Sequence, residues 1–150
     1  KLKKRYSNVE WKHPCIYLKN VTFIDTKFDN LVITYKNEKL VEATFTLFDN
    51  ASVMDNPFKD RATILSEAKS KQNQIMNRFT QAFNGLGNAF CSKYGNPAVS
   101  SEGNAIWRDT NSNSITLNVT LNNSQDELGV HFDGILTVTY RTATTNNDEF

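Results

Sequence analysis

The chain is poor in the residues that usually carry chemistry. Its 150 residues include two cysteines, two histidines, three prolines and six glycines. Two cysteines outside any C-x-x-C spacing, with only His13 and His131 to help, exclude the common zinc-site patterns. No G-x-S-x-G, G-x-x-x-x-G-K-S/T or H-E-x-x-H motif is present. Gly85-Leu86-Gly87 lacks the third glycine of a dinucleotide fingerprint. It lies inside a helical pattern and reads as a kink or a close helix–sheet contact. The acidic stretch from Asp55 to Asp60 does not match a calcium loop. Neither sign of charge dominates. Seventeen Lys and Arg face sixteen Asp and Glu, for a net charge of +1, which gives no support to nucleic-acid binding. No apolar run reaches the roughly 18–20 residues that span a bilayer as a helix.

What the chain does have is asparagine, nineteen residues of it. Sequons stand at Asn20, Asn50, Asn118 and Asn122, but this asparagine content yields about three acceptor triplets by chance. Hydrophobic residues make up 39% and charged residues 22%, the balance of an ordinary globule. At this length roughly 70% of the unfolded surface can be buried, so one domain folds without a metal or disulfide staple.

Periodicity divides the chain. Cys15–Asp25 is β-rich and reads as one or two short strands. Leu31–Tyr35 and Leu40–Phe48 alternate and flank a polar four-residue loop, a hairpin signal. Asp49–Phe58 reads as a breaker. Asp60 is a plausible N-cap, and from Ile64 to Tyr94 the apolar residues recur at steps of three, four and seven, one helix face. Gly95-Asn96-Pro97 stops that helix. Ile106 and Trp107 sit in a further strand. Ile115–Leu121 alternates strictly, 122–129 reads as a polar loop, and Val130–Tyr140 as a final strand region interrupted at Asp133-Gly134.

These elements predict an α+β fold. A mainly antiparallel sheet of five to seven strands packs on one long helix over about residues 60–94, in the order β(β)ββ-α-βββ. One sheet face meets the helix and the other is wetted. The connection across the helix leaves room for one parallel pair in the middle. Residues 1–12 read as a basic N-terminal arm, carrying Lys1, Lys3, Lys4 and Arg5. Residues 13–141 form the single domain, and 142–150 a polar tail. A chain starting at Lys1 reads as a processed or trimmed product.

Few side chains suggest a site. His13 and His131 titrate near neutrality when unperturbed, and either could pair with Cys91 as base and nucleophile, though no motif supports it. Cys15 and Cys91 are either joined, closing a long loop, or two buried thiols. Phe45, Phe79, Phe83 and Phe90 fall on core faces. Trp11 and Trp107 read as core or hairpin anchors, with sugar stacking or partner anchoring as the functional alternative. No catalytic, cofactor-binding or metal-binding residue is assigned, and no cofactor.

Several stretches resemble a known kind of domain. They are Asn37–Phe45, then Lys93-Tyr94-Gly95-Asn96-Pro97, then Ala105-Ile106-Trp107-Arg108-Asp109, Ser114–Leu117 and Leu136–Tyr140. In this order, across residues 16–140, the chain resembles small uncharacterised secreted or lipid-anchored domains of gut Bacteroidetes. Their helix-on-sheet layout is similar to β-lactamase-inhibitor-protein and small outer-membrane-assembly lipoprotein domains. The resemblance implies export, to the periplasm, the outer membrane or beyond. It also implies a non-catalytic interaction at the cell envelope, with an envelope protein or a glycan as partner. It carries over no catalytic residue. The alternative is a small ligand-binding protein or enzyme with a cavity between helix and sheet.

Overall fold

A computed structural model describes residues 10–12 and 15–143, the first of these segments by its backbone alone. Eight strands surround one helix in the order β1 (Glu10–Lys12), β2 (Cys15–Phe23), β3 (Thr26–Lys36), β4 (Lys39–Met54), α1 (Arg61–Tyr94), β5 (Val99–Ser101), β6 (Asn104–Arg108), β7 (Ser114–Gln125) and β8 (Gly129–Arg141). They form one sheet in the spatial order β1-β2-β3-β4-β8-β7-β6-β5, antiparallel at every junction. The α+β class, the antiparallel sheet and the single long helix are those expected. The strand count is larger, and no parallel pair forms among the described residues. The helix returns the chain to the far edge of the sheet, so the two halves meet only where β8 closes on β4. Glu10–Lys12, within the segment read as an arm, pairs with Cys15–Tyr17 as an edge strand. Lys1–Arg5, His13 and the tail from Thr144 lie outside the described residues.

The helix forms where its apolar stripe predicts. Asp60 caps it, its carboxylate accepting the Thr63 N–H at 2.7 Å, and Gly95 ends it with φ 81°. It runs unbroken through Gly85 and Gly87. Ile64, Ala68, Ile75, Phe79, Leu86 and Phe90 are buried against the sheet. The opposing residues are Leu47, Val53, Ala105, Trp107, Leu117, Phe132, Leu136 and Val138. Trp107 is core: its ring meets Phe90 edge-on at 5.3 Å, and its N–H donates to the Gly95 carbonyl at 3.1 Å. A second cluster on β2, β3 and β4 holds Ile16, Leu18, Val21, Leu31, Ile33 and Ala43. Phe45 joins the two, stacked on Phe23 at 4.6 Å and 5.3 Å from Phe28.

Several strands run further than their composition suggests. β4 continues through Asp49–Met54 and β7 through Gln125, both with the composition of a breaker or loop. Each pairs with β8, whose own run is unbroken at Asp133-Gly134. The β3–β4 turn is also tighter than expected. Only Asn37 and Glu38 lie between the strands, both left-handed at φ 51° and 64°, as a type I′ turn requires. Ile24 and Asp25 turn β2 into β3 likewise. The thiols are neither joined nor buried: Cys15 is half-buried with Sγ 3.6 Å from the Thr34 hydroxyl, and Cys91 is exposed on the helix.

Candidate functional site

Alternation along β4 places Ala43, Leu47 and Val53 under the core and Thr44, Thr46, Phe48, Asn50 and Ser52 on the opposite face. The register with β8 and β7 aligns these into rows. They are Thr44–Thr139–Thr116, Thr46–Thr137–Asn118, Phe48–Ile135–Thr120, Asn50–Asp133–Asn122 and Ser52–His131–Ser124. No helix covers this face among the described residues, since α1 packs on the other side. Neighbouring polar groups bind one another. Asn118 Nδ2 donates to Asn104 Oδ1 at 3.3 Å, and Asn122 Nδ2 to Asp133 Oδ1 at 3.1 Å. Arg141 forks onto Glu42 Oε2 at 3.0 and 2.8 Å. Phe48 and Ile135, cross-strand neighbours, are the exposed apolar pair of the array, at 45% and 40% accessibility.

At one end of the face stands a Ser–His–Asp arrangement. Ser52 Oγ lies 2.8 Å from His131 Nδ1, and His131 Nε2 lies 3.0 Å from Asp126 Oδ1. With the carboxylate accepting from Nε2–H, Nδ1 is left to accept the serine proton, the sense of a nucleophile–base–orienter relay. Two features argue against acyl transfer. A sheet face turns its backbone N–H groups into the sheet plane, so it offers no oxyanion donors. Neither Ser52 nor His131 lines either of the two concavities described below. Asp126 also serves the fold. It accepts the Leu128 and Gly129 N–H groups at 2.8 and 3.1 Å and so shapes the β7–β8 turn. The His131 hydrogen bond first, and those backbone donors next, hold its carboxyl below the usual carboxylate range. His131 therefore meets Ser52 and Asp126, not Cys91.

Two concavities stand out among the described residues. A shallow notch beside Tyr94, Trp107 and Tyr140 encloses about 10 Å³. A groove of about 170 Å³ lies between α1 and the ends of β7 and β8, lined by Gln72, Ile75, Met76, Leu121, Asn122, Asn123, Phe132 and Asp133. It falls below the several hundred Å³ of most small-molecule sites. Among the described residues no cluster of His, Cys, Asp and Glu converges on a metal position. No described helix is long and apolar enough to cross a membrane.

Sequence patterns locate the helix-facing core and the wetted strand residues, but not Ser52 or Asp126 as partners of His131. Ser52 reaches His131 only through the β4–β8 register, and residue type alone does not encode that register. Asp126 is legible in principle, as an acidic turn residue followed by Gly129. Compared with protein-family models, with curated proteins and with solved structures, the chain matches none.

Proposed function

We propose that the protein is a non-catalytic interaction module. It acts at the cell envelope after export and binds a protein or glycan partner through the open sheet face. The observation that carries this reading is the ordered array on that face, Thr and Asn rows around the exposed Phe48–Ile135 pair. Side chains already held by cross-strand neighbours lose little freedom on binding, and an exposed aromatic–aliphatic pair supplies the apolar contact at its centre. Export and an envelope setting rest on the resemblance carried by Asn37–Phe45, Lys93–Pro97 and Ala105–Asp109.

The test compares the native protein with Phe48→Ser combined with Thr137→Lys, both on the open face. Each is immobilised and exposed to an envelope extract and to a glycan array. A partner retained by the native protein and lost by the variant is the expected result. Equal retention, or none from either source, would overturn the reading. A small-ligand site between helix and sheet is the second reading, favoured by the 170 Å³ groove alone.

A further inference from the structure

We infer that the outer edge of β7 is a docking site for an extended peptide, which adds to the sheet as a further strand. β7 is twelve residues long and its neighbour β6 only five. β6 pairs with Ser114–Asn118, and one more bond, from the Val119 N–H to the Gly103 carbonyl at 2.8 Å, closes that contact. Thr120–Gln125 then run on with β8 on one side only, all six exposed.

The Val119 bond fixes which groups face outward. In an antiparallel ladder alternate residues direct both N–H and C=O to the same side. The β7–β8 register is constant to Gln125. The N–H and C=O groups of Leu121, Asn123 and Gln125 therefore point away from β8, with no partner among the described residues.

The opposite edge of the same three strands shows the contrast. There β4 outruns β3, but the Phe48 N–H donates to the Asp29 carboxylate at 2.7 Å, and Lys71 Nζ donates to the Ser52 carbonyl at 3.2 Å. Charged side chains guard that edge, a usual defence against strand addition. Residues 119–125, VTLNNSQ, carry no charge and no proline.

The second observation is the groove. Ile75 and Met76 of the helix, with Leu121 and Phe132, line it directly beneath this edge. A strand hydrogen-bonded to β7 turns every second side chain to the helix side, where the groove takes an apolar residue. Backbone bonds for affinity and a side-chain pocket for selection are the two parts of strand-addition recognition.

Charge selects the occupant. Glu102 stands at one end of the edge and Glu127 just past the other. Neither is paired with a cation among the described residues. The fitting partner is an extended segment with alternating apolar residues and basic flanks.

This site meets the open face only at Asn122 and Asp133, and its probe needs neither Phe48 nor Thr137, so either can fail without the other. The probe is a fluorescein-labelled nine-residue peptide of alternating threonine and valine or leucine, with lysine at each end, followed by fluorescence anisotropy. Asn123→Pro removes an outward N–H and no ladder bond, so the sheet survives it. Met76→Glu blocks the pocket without touching the strand. Each variant, and a peptide N-methylated along its pairing edge, is expected to bind about tenfold more weakly or worse. A peptide with glutamate ends is also expected to bind more weakly. Binding unchanged by Asn123→Pro and by N-methylation, or no binding of the lysine-ended probe to the native protein, would overturn the inference. Native protein that dimerises in sedimentation while Asn123→Pro stays monomeric would also overturn it, in favour of a second copy as the occupant.

Discussion

Glycine positions show how closely single residues are fitted. A Cβ on Gly134 would lie 2.8 Å from the Phe79 ring and 2.9 Å from Leu121 Cδ2. Leu121 is exposed and can yield, but Phe79 is fully buried and cannot. Gly134→Ala is therefore expected to destabilise by about 1–3 kcal/mol, read from the urea midpoint. Gly85 has nothing within 4 Å of its Cβ position and lies in the helix, so Gly85→Ala should stabilise by about 0.5–1 kcal/mol in the same assay. Gly129, at φ 154°, has no such freedom, since a Cβ would land on the Val53 carbonyl oxygen. Three carboxyls also act at this scale. Asp60 is held low first by the Thr63 side chain, Asp109 by Asn113 and Asp126 by His131. Each has a folded pKa below its unfolded value of 3.8, so its contribution is full above that value. It is lost as pH falls through the folded pKa. The urea midpoint should therefore fall as pH drops below about 4, and fall less in Asp109→Asn.

At the scale of elements, the sequence is readable wherever one face is buried. The helix and the inner rows of β4, β7 and β8 alternate with the period their environment imposes. The ends of β4 and β7 are not legible, because residues such as Asn122, Asn123 and Ser124 are exposed and carry loop-like composition. Only pairing with β8 makes them strand. The three residues of β5 are too few to show a period. On β2 and β3 the buried positions step by three, Leu18 to Val21 and Phe28 to Leu31. Asn20 takes φ 55° there, and both strands slip together, so the register is kept. Asparagine tolerates that conformation and β-branched residues do not. Asn20→Val should cost about 1–3 kcal/mol, while Asn20→Gly should be near neutral, both by urea unfolding. The candidate site follows the same logic: the open face is legible as alternation, but its rows and the Ser52–His131 contact are products of register.

At the scale of the whole molecule, the two core clusters share one sheet but not one cover. The helix packs on β4, β8, β7 and β6, while Ile16, Leu18, Leu31 and Ile33 belong to the β2–β3 side. Phe45 bridges them, touching Phe23 and Phe28 and packing against both clusters. Truncating a fully buried aromatic costs about 3–5 kcal/mol, and the loss at half-buried Phe45 is smaller. That loss falls mainly on the coupling between clusters, because each keeps its remaining contacts. In the native protein the amides of Leu18 and Leu136 should exchange with nearly the same opening free energy. In Phe45→Ala the amide of Leu18 should become the faster, with Leu136 retaining more of its protection. Equal loss at both amides would mean that the sheet opens as one unit, and that β4 backbone pairing, rather than Phe45, holds the halves together.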